Sequence, residues 1–94
     1  MAAAPRRRRG PVSLACLPGE EHIPPRVAYA VSRKVGGAVT RNRVRRRLRA
    51  SVARHRSNLR PGAAYLFGAG REAATVPFAE LEAAVGELLA GRPG

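Results

Sequence analysis

The order of apolar and polar positions along this 94-residue chain first changes period, from two to about 3.6, at Gly36-Gly37. Ahead of it, Val12 to Leu17 is a short apolar run stopped by Pro18-Gly19, and Glu20 to Pro25 reads as a loop. Arg26 to Ser32 then alternates, with Val27, Tyr29 and Val31 on one face and Ala28 and Ala30 on the other. Both runs predict strands. The alanines leave room for a helix to approach, so cover on both faces of the second strand is expected.

Beyond the glycines, Val44, Leu48 and Val52 fall on one stripe at 100° per residue. Arg43, Arg46, Arg47 and Arg54 fall roughly opposite, with Asn42 and Arg49 beside them. This predicts an amphipathic helix from Ala38 to Ser57, about 30 Å long, closed by Pro61-Gly62. Ala63 to Phe67 is a third strand, and Gly68 to Thr75 a loop. Pro77 opens a second helix with Phe78, Leu81, Val85, Leu88 and Leu89 on its packing side and Glu80 and Glu87 on its outer side. Residues 1–11 read as a flexible basic arm, 12–90 as a single domain and 91–94 as a frayed tail.

Charge changes this picture of a small α/β domain. Lys and Arg number 18 against 6 acids, with no Asp, for a formal net charge of +12. Residues 1–71 hold 17 basic and 2 acidic side chains, net +15, whereas 72–94 hold 1 and 4, net −3. Such a chain seeks polyanions. All but one of the basic residues are Arg, which suits bidentate pairing with phosphate, although GC-rich coding also favours Arg. A single cysteine, Cys16, excludes an internal disulfide and points to a reducing compartment. No run approaches the roughly 18 apolar residues of a membrane span. The opening MAAAPRRRRGPVSLAC imitates an export signal, but Val12 to Ala15 is too short for its apolar region, so a cytoplasmic protein is expected.

The inventory for hydrolysis is poor. Glu20 and Glu21 share a loop, and Glu80, Glu82 and Glu87 lie on the packing helix, so no pair of carboxylates converges on one site. His22 and His55 are isolated and read as surface residues. Cys16 reads as a small buried hydrophobe. Gly68 to Ala73 matches G-x-G-x-x-A after a strand, but the next helix starts too late for a dinucleotide fingerprint. Neither catalytic residues nor metal ligands are assigned.

The strong signal is Arg41 to Arg56, with eight arginines and no acid. A merely solvated charged face would carry compensating carboxylates. A membrane-surface helix would carry a broader apolar stripe with Trp or Phe. A helix-turn-helix would place another helix where a strand and two glycines stand. Phosphate and shape recognition of structured RNA fits better.

At these residues the chain resembles the bacterial ribonuclease P protein family, whose signature runs approximately V-S-[KR]-K-x-G-x-A-V-x-R-N-R-x-[KR]-R-x-x-R. Val31, Ser32, Arg33, Lys34, Gly36, Ala38, Val39, Arg41, Asn42, Arg43, Arg45, Arg46 and Arg49 occupy matching positions. The resemblance extends more loosely from Val12 to Leu89. It implies an α/β (α+β) sandwich with a small mixed sheet, in which the strands at 26–32 and 63–67 pair in parallel. The arginine helix joins them by a left-handed crossover, against the right-handed form of about 98% of such connections, and the C-terminal helix packs beside it.

The resemblance further implies a subunit that binds ribonuclease P RNA and precursor tRNA to assist removal of the 5′ leader. Chemistry would be carried by the RNA, with magnesium ions in the RNA active site and no cofactor bound by the protein alone. Arg33, Lys34, Arg41, Asn42, Arg43, Arg45, Arg46 and Arg49 would bind RNA. The alternative is a free-standing or decayed RNA-binding module without processing activity. The resemblance also implies a helix and a further strand ahead of Val12, the helix lending aromatic residues to a leader-binding cleft. MAAAPRRRRGP stands in that place, which leaves open a misassigned start or an arginine arm that substitutes for the missing piece.

Overall fold

A computed structural model describes residues 6–91, so the first five residues of the arm and positions 92–94 of the expected tail lie outside the described residues. Four strands, β1 (Arg6–Arg9), β2 (Val12–Leu17), β3 (Arg26–Val31) and β4 (Ala64–Ala69), form one sheet in the order β1-β2-β4-β3. Helix α1 (Ala38–Ala53) connects β3 to β4, and α2 (Phe78–Ala90) closes the fold. β1 with β2 and β2 with β4 pair antiparallel, whereas β3 and β4 pair in parallel, from Arg26 opposite Ala64 to Val31 opposite Ala69. The mixed sheet with two helices is the α+β architecture expected from the sequence.

The expected flexible arm is corrected within the described residues. Arg6–Arg9 is an edge strand, joined to β2 by the two residues Gly10-Pro11, with Gly10 at φ 56°. Its stability does not come from apolar burial, which is why composition argued against it. The ladder to β2 supplies backbone hydrogen bonds, and alternate side chains reach α2. The Arg7 Nη2 donates to the Leu88 carbonyl at 2.6 Å, and the Arg9 Nε lies 3.1 Å from the Glu87 carboxylate. This strand stands directly before Val12, where the family resemblance implies a further strand.

Both helices pack on one side of the sheet. Val12, Leu14, Val31, Tyr65 and Phe67 meet Val44, Leu48 and Val52 of α1 and Leu81, Ala84, Val85 and Leu88 of α2 in a single core. Opposed residues in a ladder share a face, so Arg6, Arg8, Ser13, Ala15, Leu66, Gly68, Ala28 and Ala30 form the outer face. Ala28 and Ala30 are exposed, which corrects the expectation of cover on both sides of β3: its small residues line an open surface instead.

Two boundaries also differ. α1 stops at Ala53 and yields to a 3-10 turn, Arg56–Asn58, because the stripe Val44, Leu48, Val52 continues onto Arg56 rather than another apolar residue. Gly68 to Thr75 is no flexible loop: β4 runs through Ala69, and Arg71–Ala74 forms a 3-10 turn with Ala73 buried. Gly62, at φ 80°, packs so tightly on the Glu20 carbonyl that a Cβ would lie 2.1 Å from its oxygen, which pins the start of β4 to the 18–25 loop.

Candidate nucleic-acid interface

The turn between β3 and α1 sets the first two basic residues. Ser32 Oγ accepts the Lys34 N–H at 3.3 Å, and Arg33–Val35 forms a 3-10 turn with Val35 buried beneath exposed Arg33 and Lys34. Gly36 follows at φ 151°, and a Cβ there would sit 3.0 Å from Thr40, so glycine lets the turn lie directly against the first turn of α1. No acid stands in that first turn, and Gly37 at the N-cap offers no side-chain acceptor. The positive end of the helix dipole therefore adds to the neighbouring cations.

Along α1 the arginines divide by direction. Arg43, Arg46 and Arg49 are exposed, as is Asn42, whose Oδ1 accepts Arg45 Nη1 at 3.1 Å. Arg41 is half-buried, and its Nε is shielded from solvent without a hydrogen-bond partner. Arg45 is half-buried on the sheet side, where it lines a concavity of about 490 Å³ together with Arg6, Arg8, Ser13, Tyr29 and Gly68. Arg49 rests over the Tyr29 ring, 5.8 Å from its centroid. Burial raises the Tyr29 phenol above its ordinary value of 10.0, and the nearby Arg49 charge offsets part of that rise.

Two arginines placed on the solvent side by helical period are engaged elsewhere. Arg47 turns inward and donates to the carbonyls of Ala73, Ala74 and Val76. Arg54 lies over the Phe78 ring at 5.6 Å. Neither belongs to the set expected to bind RNA. The structure gathers that whole set, Arg33, Lys34, Arg41, Asn42, Arg43, Arg45, Arg46 and Arg49, on the turn before α1 and on α1 itself. The ion pairs among the described residues join Arg9 to Glu87, His22 to Glu20 and His55 to Glu82, so none neutralises a guanidinium of α1.

Sequence reasoning missed Arg6 and Arg8. The available signal was their period-two spacing just ahead of a Gly-Pro turn, and a run of four arginines hides it because every position is alike. No group of three or more His, Cys, Asp or Glu among the described residues could hold a metal ion. What the surface offers is a dense array of donors and positive charge, suited to phosphate oxygens.

Comparison with known proteins gives a consistent picture. The Ribonuclease P family model matches residues 2–91. A ribonuclease P protein component from Beutenbergia cavernae is 49% identical over 59 residues, covering 63% of this chain and 50% of that protein. One from Streptomyces bikiniensis is 42% identical over 78 residues, covering 79% and 63%. The chain thus spans between half and two thirds of the length of these relatives. Among solved structures, the RNase P protein of Thermotoga maritima superposes with a TM-score of 0.83 at 18% identity, covering 97% of this chain and 86% of that one. That of Staphylococcus aureus gives 0.75 at 20% identity, covering 92% and 78%. At those identities the superpositions establish the fold.

Proposed function

This chain belongs to the ribonuclease P protein family, and we propose that it acts as the protein subunit of ribonuclease P, binding the catalytic RNA and precursor tRNA to assist 5′-leader removal. The observation that carries the proposal is the uncompensated arginine face of α1, continuous with Arg33 and Lys34. Arg41, Asn42, Arg43, Arg45, Arg46 and Arg49 contact or position RNA beside the cleavage site, and Arg33 and Lys34 join them from the turn. Exposed guanidiniums pair with phosphate oxygens, and the counterions released on binding supply much of the affinity. Arg45 leads from that face to the concavity shared with Arg6 and Arg8, which gives the leader a basic path onto the open side of the sheet.

Cleavage belongs to the RNA in this reading. In this reading the magnesium ions sit in the RNA active site, and no step is assigned to a side chain of this protein. The protein raises the local affinity for substrate and screens phosphate repulsion between two RNAs. No helix among the described residues is long and apolar enough to cross a membrane, and a cytoplasmic site of action follows from the proposed partners.

The test is reconstitution. Added to ribonuclease P RNA and precursor tRNA at low magnesium, the chain should restore 5′ processing that the RNA alone performs poorly. RNA binding without any gain in processing would instead support a free-standing RNA-binding module.

A further inference from the structure

We propose that Arg47 is a positioning residue that sets the Arg33–Lys34 turn against the arginine face of α1, rather than a phosphate contact. The inference rests on the RNA-binding reading above. Its starting point is chemical: a guanidinium on a basic helix that turns away from solvent has given up hydration and phosphate alike. Arg47 Nη1 lies 3.1 Å from the Ala73 oxygen and 2.8 Å from that of Ala74, and Nη2 reaches the Val76 oxygen. The Ala73 and Ala74 carbonyls end the 3-10 turn Arg71–Ala74, where end-of-turn acceptors lack partners within the turn, and Val76 lies two residues beyond it. One planar fork serves all three, which a lysine ammonium could not reproduce in the same geometry.

The braced segment has a second end. Ala73 is fully buried in the same core as Val35, the residue beneath Arg33 and Lys34. Arg71 Nε reaches the Lys34 carbonyl at 3.4 Å. Residues 71–76 therefore link α1 on one side to the 33–35 turn on the other. Arg47 fastens the α1 side, so the spacing between Lys34 and the guanidiniums of Arg41, Arg43 and Arg46 depends on it. A phosphate-binding surface spread over two elements gains affinity when those elements are held in register beforehand.

The experiment uses the full chain with ribonuclease P RNA. Arg47→Met keeps the apolar stem and removes the fork. It should weaken RNA binding by about two- to tenfold, and should weaken it no further when Lys34→Ala is already present, because both changes disable the same contact. Arg46→Ala, by comparison, should weaken binding equally with or without Lys34. Additive losses from Arg47→Met and Lys34→Ala would overturn the proposal and identify a direct phosphate contact. Unchanged affinity with a lowered unfolding temperature would also overturn it, leaving Arg47 a purely structural residue.

A second measurement needs no RNA and so separates this inference from the reading it rests on. The Val35 and Gly36 amides donate within their turn at 3.1 and 3.2 Å. Arg47→Met should speed their hydrogen exchange relative to amides in β2. Unchanged protection would overturn the brace. If Arg47→Met does not fold, Arg71→Met, at the exposed end of the same segment, should show the same coupling with Lys34.

Discussion

The Arg49 guanidinium lies over the ring of Tyr29, 5.8 Å from its centroid, and that ring stacks on Phe67 with centroids 6.1 Å apart. A cation from the arginine face of α1 thus rests on an aromatic pair whose other member is fully buried in the core. Contacts of this kind contribute about 0.5–1 kcal/mol at exposed sites, and here one also aims the side chain.

Burial raises the Tyr29 phenol above 10.0 against the opposing influence of Arg49. Its contribution to stability is full below the unfolded value of 10.0 and is lost as the pH rises from there through the higher native value. Unfolding by denaturant, followed between about pH 9 and 11, should therefore show a steeper alkaline loss in the native chain than in Tyr29→Phe, which keeps the stack. Parallel curves would show that the hydroxyl is hydrated in the folded state.

Replacing both Arg43 and Arg46 with Ala should weaken RNA binding and flatten its dependence on salt. Each lost phosphate contact lowers the slope of log K against log salt by roughly 0.7–0.9. Titrations of the double variant across a salt series check this, and an unchanged slope would mean that these side chains do not meet phosphate.

The four arginines of β1 should separate into two classes. Arg7→Ala removes the charged hydrogen bond to Leu88 and should lower stability by about 1–3 kcal/mol. Arg6→Ala with Arg8→Ala should leave stability within about 0.5 kcal/mol while reducing the salt slope of RNA binding. Thermal unfolding of the two variants side by side decides, and equal losses would contradict the alternation of faces.

Val44 and Leu48 are both at 0% exposure, so Val44→Asp with Leu48→Asp buries two carboxylates without partners. The double variant should lose its cooperative thermal transition and native far-UV dichroism. Leu48→Ala alone should cost about 2–5 kcal/mol, measured by denaturant titration.

Much of the architecture was legible because it is written in local periods. Val27, Tyr29 and Val31 share a face as alternation requires, and Val44, Leu48 and Val52 are buried as helical spacing requires. The eight residues expected to bind RNA could be chosen from the signature, since all lie within one turn and one helix. Ala28 and Ala30 were misread because small residues suit either a covered face or an open one, and only the placement of both helices on the other side distinguishes them.

By itself, the sequence determined three strands, a glycine turn, a basic amphipathic helix and an acidic packing helix, together with membership in one RNA-associated family. The tertiary structure alone decided what the individual arginines do. Arg7 finds its acceptor on Leu88, 81 residues away, and Arg47 finds its own on Ala73, Ala74 and Val76. A long side chain on a helix or strand can reach solvent or a neighbouring carbonyl from the same backbone position. Which it does depends on acceptors brought close by folding, and no local period carries that information.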